Sequence, residues 1–301
     1  MNEPRDDRRR FRIIALIPAY NEEGTIAKIV LKTRKYVDKV IVCDDGSTDM
    51  TGEIARALGA EVIRHERNMG YGAALISLFE YARKLNPDVV VTLDADGQHN
   101  PEDIPKLVEP ILRGDADIVI GSRFLGGTDM PKYREVGVKA ITRLVRMAGY
   151  EELTDAQSGF RAYSRRALQL IHPTEQGMGI STEILVKASE EGLKILEVPV
   201  KIEYSVERPS KRNPIYHAIV VVLSTVKFMS MRHPLLFYGV PAALALLVAG
   251  FFWLWSLQIL ATYRQLVTNI ALIAIGATTV GLILTTTAMI LWVLVSILRE
   301  R

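Results

Sequence analysis

Asp88-Val-Val-Val-Thr-Leu-Asp-Ala-Asp-Gly-Gln98 joins a short, β-branched apolar run to a cluster of oxygen-bearing side chains. An apolar run of this length bounded by polar residues predicts a buried strand. Carboxylates two apart on an extended chain face opposite sides, so Asp94 and Asp96 converge only if the chain turns where the strand ends. Outward from this stretch, similar runs predict strands at Ile13–Ile17, Lys39–Cys43, Ala60–Arg64, Val89–Leu93 and Ile118–Gly121. Helical stretches lie between them at Glu23–Tyr36, Thr51–Leu58, Ala73–Leu85 and Pro101–Arg113. Asp49 is placed to cap the second helix, and Pro101 suits a first helical position. Strand–helix alternation of this kind predicts an α/β domain, a mostly parallel sheet with helices on both faces.

In such sheets ligands bind beyond the carboxyl ends of the strands. The residues there are Pro18-Ala-Tyr-Asn-Glu22, Asp44-Asp45-Gly-Ser-Thr-Asp49, Asp94-Ala-Asp-Gly-Gln98 and Ser122-Arg123. A hard divalent cation takes one or two carboxylates, substrate phosphates and water; Asp96 and Gln98 offer suitable oxygens, and a diphosphate supplies others. Such a cation offsets charge on a departing diphosphate. Tyr20 and Glu22 present a ring and a carboxylate suited to a nucleobase, and Asp44-Asp45 can accept hydrogen bonds from base or ribose. Gly70-Tyr-Gly72 is no dinucleotide fingerprint: the last required small residue is Leu75, and no glycine turn follows the first strand. Asn68–Gly72 reads as a tight lead-in to the next helix.

Charge is distributed unevenly along the 301 residues. No Asp, Glu, Lys or Arg lies between Arg232 and Arg264, nor between Arg264 and Arg299. Each gap can hold the roughly 20 apolar residues that cross a bilayer core, predicting spans at Leu235–Leu260 and Ile270–Leu298 joined near Tyr263-Arg264-Gln265. Ahead of them Ile215, Ile219, Val222, Leu223, Val226 and Met229 recur at helical spacing, and Lys227 suits the headgroup region, predicting an interfacial helix over 213–233. Lys211, Arg212, Lys227 and Arg232 precede the spans, Arg299 and Arg301 follow them, and the intervening loop has only Arg264. The positive-inside rule then puts the large domain and both termini in the cytoplasm, at the cell membrane. Residues 1–10 form a basic arm without the apolar stretch of a secretory signal. One cysteine, Cys43, allows no internal disulfide, and a net charge of +3 is too small to point to nucleic acid.

Taken in order, Pro18-x-Tyr-Asn-Glu22, Asp44-Asp-Gly-Ser-Thr-Asp49, Asp94-Ala-Asp-Gly-Gln-His99, Gly121-Ser-Arg123, Ser158-Gly-Phe-Arg161 and Glu197-Val-Pro199 resemble the family 2 glycosyltransferases. Within that family the set is most similar to dolichyl-phosphate mannose synthases and related polyprenyl-phosphate hexosyltransferases, over roughly Ile13 to Lys211. The resemblance implies a GT-A type, Rossmann-like catalytic domain over 11–212, and the hairpin over 234–301 is similar to that of undecaprenyl-phosphate sugar transferases. It implies an inverting transfer of a hexosyl group from a nucleotide-diphosphate sugar to a polyprenyl phosphate, with Mg²⁺ or Mn²⁺. Pro18, Tyr20, Glu22, Cys43 and Asp45 would line the nucleotide pocket, and Asp94 with Ala95 would touch donor ribose or phosphate. Asp96 and Gln98 would hold the metal, Arg123 would meet phosphate near the reaction centre, and Arg134 would bind the acceptor phosphate. Lys211 would contact donor diphosphate or acceptor with Arg208 beside it, although Arg208-Pro-Ser-Lys211 is shorter than the family's usual spacing. Gly97 stands where mannose synthases often have Leu, so the sugar is not read from that position. Related enzymes assemble through such hairpins, which makes a homo-oligomer an expectation of the same kind.

A phosphate acceptor agrees with the chemistry on offer. Arginine presents a planar fork suited to phosphate oxygens, and a phosphate monoester with a second pKa of about 6 is already largely dianionic at neutral pH. Such a nucleophile needs positioning more than deprotonation, so His65 and His99 read as structural or metal-proximal. Asp155 is the acidic candidate near the acceptor, or else the carboxylate that orients Arg123 or Arg161. Three other readings are a processive polysaccharide synthase, a non-catalytic membrane scaffold, and a nucleotidyltransferase, which would want a glycine-rich, basic loop where Pro18–Gly24 stands. The first usually carries Gln-x-x-Arg-Trp, whereas every Trp here lies in the hairpin region; the second has no need of Asp94, Asp96, Gln98 and Arg123 together.

Overall fold

The computed structural model describes residues 11–126, 138, 139, 142, 153–201, 230, 234–265 and 267–299. The basic arm, Arg134, Arg208, Lys211 and the expected interfacial helix, save Ser230, lie outside the described residues. The chain divides into two compact units, Met1–Ser224 and Thr225–Arg301.

Among the described residues of the first unit, seven strands form one sheet: β1 Ile13–Ala19, β2 Lys39–Asp44, β3 Glu61–Arg64, β4 Val89–Thr92, β5 Ile118–Ser122, β6 Arg161–Ser164 and β7 Ile195–Pro199. Their order is β3-β2-β1-β4-β6-β5-β7. β1 runs parallel to β2 and β4, β2 to β3, and β5 to β7. Only β6 is reversed, antiparallel to both β4 and β5. The five expected strands are all present, and the mostly parallel α/β architecture holds.

Alternation along each strand sorts the core into two layers. From β1, Ile14 and Leu16 pack with Leu75, Leu78 and Phe79 of α3 (Tyr71–Leu85). Ala15 and Ile17 point the other way, to Ile26, Ile29 and Val30 of α1 (Ile26–Thr33) and Leu107 and Val108 of α4 (Ile104–Leu112). Helices therefore cover both faces, as period-2 side-chain alternation requires.

Three local expectations shift. α1 begins at Ile26 rather than Glu23, because Asn21 takes a left-handed φ of 55° and residues 23–25 complete a turn. Asp49 is not the cap of α2 (Thr51–Ala57): Met50 holds that position, and Asp49 reaches past it to accept from Thr51 N (3.0 Å) while its other oxygen accepts from Glu23 N (3.2 Å). Pro101 opens a 3₁₀ turn, Pro101–Asp103, capped by the Asn100 side chain and running into α4. The lead-in to α3 is tight as expected: a Cβ on Gly72 would stand 2.2 Å from Glu175 O and 2.6 Å from Gln176 C.

Among the described residues of the second unit, two helices are long and apolar enough to cross a membrane, Leu235–Tyr263 and Thr268–Ile297. The first opens with a π turn over Leu235–Gly239, and Arg264, at φ 49°, closes it with a bond from its N–H to Leu260 O (3.0 Å). Ala242, Ala249 and Ser256 are its buried residues, each seven apart. On the partner helix Ala274, Gly281 and Ala288 recur at the same interval and are also buried. A Cβ on Gly281 would lie 2.7 Å from the Leu246 side chain, so glycine there lets the helices approach closely. Trp253 Nε1 donates to Thr278 Oγ1 (3.1 Å) across the hairpin.

Candidate active site

The loops after β1 and β2 are bound together by side-chain oxygens that accept backbone N–H groups. Asn21 N donates to Ser47 Oγ (3.0 Å), Glu22 N to Thr51 Oγ1 (2.8 Å), and Thr48 N to Asn21 Oδ1 (2.9 Å). Burial alone would raise the Asp49 carboxyl, but the bonds from Thr51 and Glu23 outweigh it and hold it below its ordinary value. Pro18 is buried and Tyr20 is exposed at the rim, while Glu22 accepts from Thr25 Oγ1 (2.7 Å).

Behind that rim, Asp45 is buried and both its oxygens are committed. Oδ1 accepts from His65 Nδ1 (2.7 Å) and Met69 N (2.9 Å), and Oδ2 from Gly70 N (2.9 Å). A carboxylate only accepts, so His65 Nδ1 carries a proton and its Nε2 faces Ser77 Oγ (2.9 Å) and Cys43 Sγ (3.6 Å). The Cys43 thiol is pushed up to about 12 by burial and by the charges of Asp45 and Asp44. Asp45 thus fastens the 65–70 loop that starts α3; it is a carboxylate at the right strand end, but one already engaged within the protein.

The loop after β4 carries the acids. Ala95 is buried, and Asp94 and Asp96 are partly exposed. Burial raises the Asp94 carboxyl, opposed by the Tyr71 hydroxyl and by the charges of Arg123 and Arg161. Burial and then the charge of Asp94 raise Asp96, whose Oδ1 accepts from Gln98 N (2.9 Å). Tyr71, at the first turn of α3, is itself driven well above its ordinary value by burial and the charge of Asp94. Close approach sets Gly159 as well: a Cβ there would lie 2.9 Å from Asp94 Oδ2 and from Tyr71 Oη. His99 is buried and stacked on Phe160 (5.1 Å between ring centres, 25°). Its Nδ1 accepts from Asp94 N (3.1 Å) and burial pulls its pKa down to about 4, so the ring is neutral and structural at pH 7.

Arg123 follows β5 and meets Asp155 at two points, Nε to Oδ2 at 2.6 Å and Nη2 to Oδ1 at 2.7 Å. Asp155 is fully buried and its oxygens also accept from Arg123 N (3.2 Å) and Gln157 N (3.3 Å). A carboxylate this occupied orients a guanidinium; it has no lone pair to spare for taking a proton. Arg161 is buried and donates to three carbonyls, those of Ser158 (2.8 Å), Ser181 (3.0 Å) and Ala156 (2.7 Å). It therefore holds the 156–158 loop and lends its charge to Asp94.

Asp94, Asp96, Gln98, Arg123 and Asp155 are thus brought together where β4 and β5 end and β6 begins, with Tyr71, Thr154, Arg161 and Glu197 supporting them. Among the described residues no three His, Cys, Asp or Glu side chains gather as a metal cage. The site nevertheless fits a divalent cation completed by substrate: Asp94 Oδ1 is buried without a hydrogen-bond partner, and both acids are raised by burial. Two carboxylates in this state suit an ion that brings phosphate and water ligands with it.

The profile described as Glycosyl transferase family 2 matches residues 14–171. UDP-N-acetylglucosamine--dolichyl-phosphate N-acetylglucosaminyltransferase of Methanococcus voltae is 36% identical, over 65% of this chain and 88% of its own. Dolichol-phosphate mannosyltransferase of Pyrococcus furiosus is 30% identical, over 81% of this chain and 72% of its own. Among solved structures, glucosyl-3-phosphoglycerate synthase of Mycobacterium tuberculosis, in complex with Mn²⁺, uridine diphosphate and glucosyl-3-phosphoglycerate, aligns with a TM-score of 0.57 at 26% identity. That alignment covers 72% of this chain and 79% of the synthase.

Proposed function

The chain belongs to glycosyl transferase family 2, and from that premise we propose that it moves a hexosyl group from a nucleotide-diphosphate sugar to a polyprenyl phosphate. The observation that carries this reading is the placing of Arg123, fixed by Asp155, beside the Asp94–Asp96 strand end, where its charge is felt by Asp94. An anionic donor and an anionic acceptor can both be addressed there. The names of the relatives favour a lipid phosphate, and the two apolar helices supply a membrane tether for it.

In this reading the anomeric carbon–oxygen bond to the diphosphate breaks as an acceptor phosphate oxygen forms the new bond on the opposite face. The acceptor is already dianionic near neutral pH, so no proton need be removed, in keeping with a neutral, buried His99 and a fully bonded Asp155. Asp96, with Gln98, would hold Mg²⁺ or Mn²⁺, which when bound offsets charge on the leaving diphosphate. Asp94 addresses donor ribose or phosphate, and Pro18, Tyr20, Glu22, Cys43 and Asp45 shape the nucleotide end. By resemblance alone, Arg134 is assigned to the acceptor phosphate, and Lys211, with Arg208 beside it, to the donor diphosphate or the acceptor. The positive-inside bias places the catalytic unit and both termini in the cytoplasm.

The test is transfer from labelled UDP- and GDP-sugars to polyprenyl phosphate, with Mg²⁺ or Mn²⁺, then with EDTA, beside Asp96→Ala. A metal-dependent lipid-linked product that disappears in Asp96→Ala identifies reaction and donor together. Nucleotide binding without lipid product from any donor would reject the lipid acceptor.

A further inference from the structure

We infer that Glu197, on the edge strand β7, is a positioning residue for Arg123, acting through Thr154 and Asp155. The inference rests on the transferase reading above and deepens it. Glu197 Oε1 accepts from Asp155 N (2.8 Å), and Oε2 accepts from both Thr154 N (2.9 Å) and Thr154 Oγ1 (2.6 Å). The Thr154 hydroxyl proton is spent on a carboxylate that cannot donate, so the 2.6 Å contact with Ser122 Oγ must be donated by Ser122.

The register explains why a residue so distant in sequence reaches this loop. Glu197 pairs with Ile120 on β5, and Ser122 lies two residues beyond Ile120, so both polar side chains emerge on one face. Ser122 is fully buried and immediately precedes Arg123. The bonds close a ring: Ser122 to Thr154, Thr154 to Glu197, Glu197 to Asp155, Asp155 to Arg123, and Arg123 back along the chain to Ser122. A half-buried acid on an edge strand has no fold-level need to accept three bonds from the two residues that aim one arginine. Holding two successive N–H groups fixes the backbone of Asp155, and the two-point pair transmits that orientation to the guanidinium. Hydrogen-bonded rings of this kind are worth most where a group must be fixed to a fraction of an ångström.

The variants are Glu197→Ala, Thr154→Val and Thr154→Ser, made in the full chain. Glu197→Ala and Thr154→Val are expected to lower kcat about 10- to 100-fold, as a misplaced catalytic group does. Donor KM should move much less than kcat, since no hydrogen bond made by Asp45 or Asp94 is removed. Thr154→Ser, which keeps the hydroxyl, should retain wild-type kcat, a rescue that mere packing would not produce. Glu197→Ala within about twofold of wild-type kcat overturns the inference, as does a rise in donor KM in step with the loss. Should Glu197→Ala fail to fold, the Thr154 pair decides alone. Should the wild-type chain transfer no sugar to polyprenyl phosphate, the transferase reading fails by itself. The Nε–H resonance of Arg123, assigned with Arg123→Lys, then tests the ring: slow exchange lost in Thr154→Val but kept in Thr154→Ser supports it, and no difference overturns it.

Discussion

Arg123 and Asp155 form a two-point ion pair in which the carboxylate is fully buried and the guanidinium keeps 16% of its side-chain surface exposed. The buried carboxylate fixes the direction of the guanidinium. Asp155→Asn keeps the shape but replaces one accepting oxygen with a donor that faces Arg123. Transfer should fall about 100-fold or more, because the arginine loses both charge partner and aim. Breaking a buried pair from one side costs about 3–5 kcal/mol; partial exposure of Arg123 puts the loss at the lower end. Steady-state kinetics and a denaturation midpoint on the same preparation separate the two effects. Wild-type turnover in Asp155→Asn would refute the orienting role.

Tyr71→Phe tests the other side of the site. Removing the hydroxyl withdraws the one bond that lowers the Asp94 carboxyl, so Asp94 should titrate still higher and bind donor less well near its own pKa. The expected result is a several-fold rise in donor KM that shrinks as pH increases, because a higher-titrating carboxyl loses its charge first on the acid side. An effect independent of pH would mean that Tyr71 serves packing only.

How much of this was legible beforehand differs between strand ends and supports. Val89–Thr92 and its parallel neighbours announce themselves because strands buried on both faces are continuous apolar runs. The acids and Arg123 follow from the rule that such strands end in the site. β6 gave no such sign: Arg161-Ala-Tyr-Ser164 is four residues long and opens on a charge, yet that arginine is buried against three carbonyls. β7 was also missed as a strand, since its edge position leaves Leu196 and Glu197 partly exposed. Tyr71 looks like a loop residue in Gly70-Tyr-Gly72 until α3 is seen to begin there. Thr154 and Glu197 are 43 residues apart; the Glu197-Val-Pro199 motif belonged to the family resemblance, but only the β5–β7 register reveals what its acid holds.

Gly72→Ala should damage the fold rather than the chemistry. Its Cβ would meet main-chain atoms of Glu175, Gln176 and Gly177, which cannot swing aside as a side chain does. That loop is anchored by buried Glu183, which accepts from Thr174 N (2.9 Å) and Glu175 N (2.8 Å). Overpacking against a held backbone costs about 3 kcal/mol, or about 6–12 °C in melting temperature at 2–4 °C per kcal/mol for a unit of this size. Thermal unfolding measures it. A midpoint within about 1 °C of wild type would mean the 172–179 loop is free to move away.

Cys43 supplies a pH dependence with a definite sign. Its thiol titrates near 9.0 when exposed and at about 12 in the fold, raised first by burial and then by Asp45 and Asp44. Above pH 9 the unfolded chain therefore gives up a proton that the folded chain keeps. Linkage makes the contribution complete below that value and lost as pH rises towards 12, at about 1.4 kcal/mol per pH unit. Urea midpoints of wild type and Cys43→Ala, compared between pH 8 and 10.5, isolate this term because all other titrations are shared. The wild-type midpoint should fall relative to the variant by an amount growing with pH. The same burial predicts that iodoacetamide labels the folded chain at pH 8 at least about 100-fold more slowly than the denatured one. Rapid labelling, or parallel midpoints, would place Cys43 in contact with solvent rather than in the core.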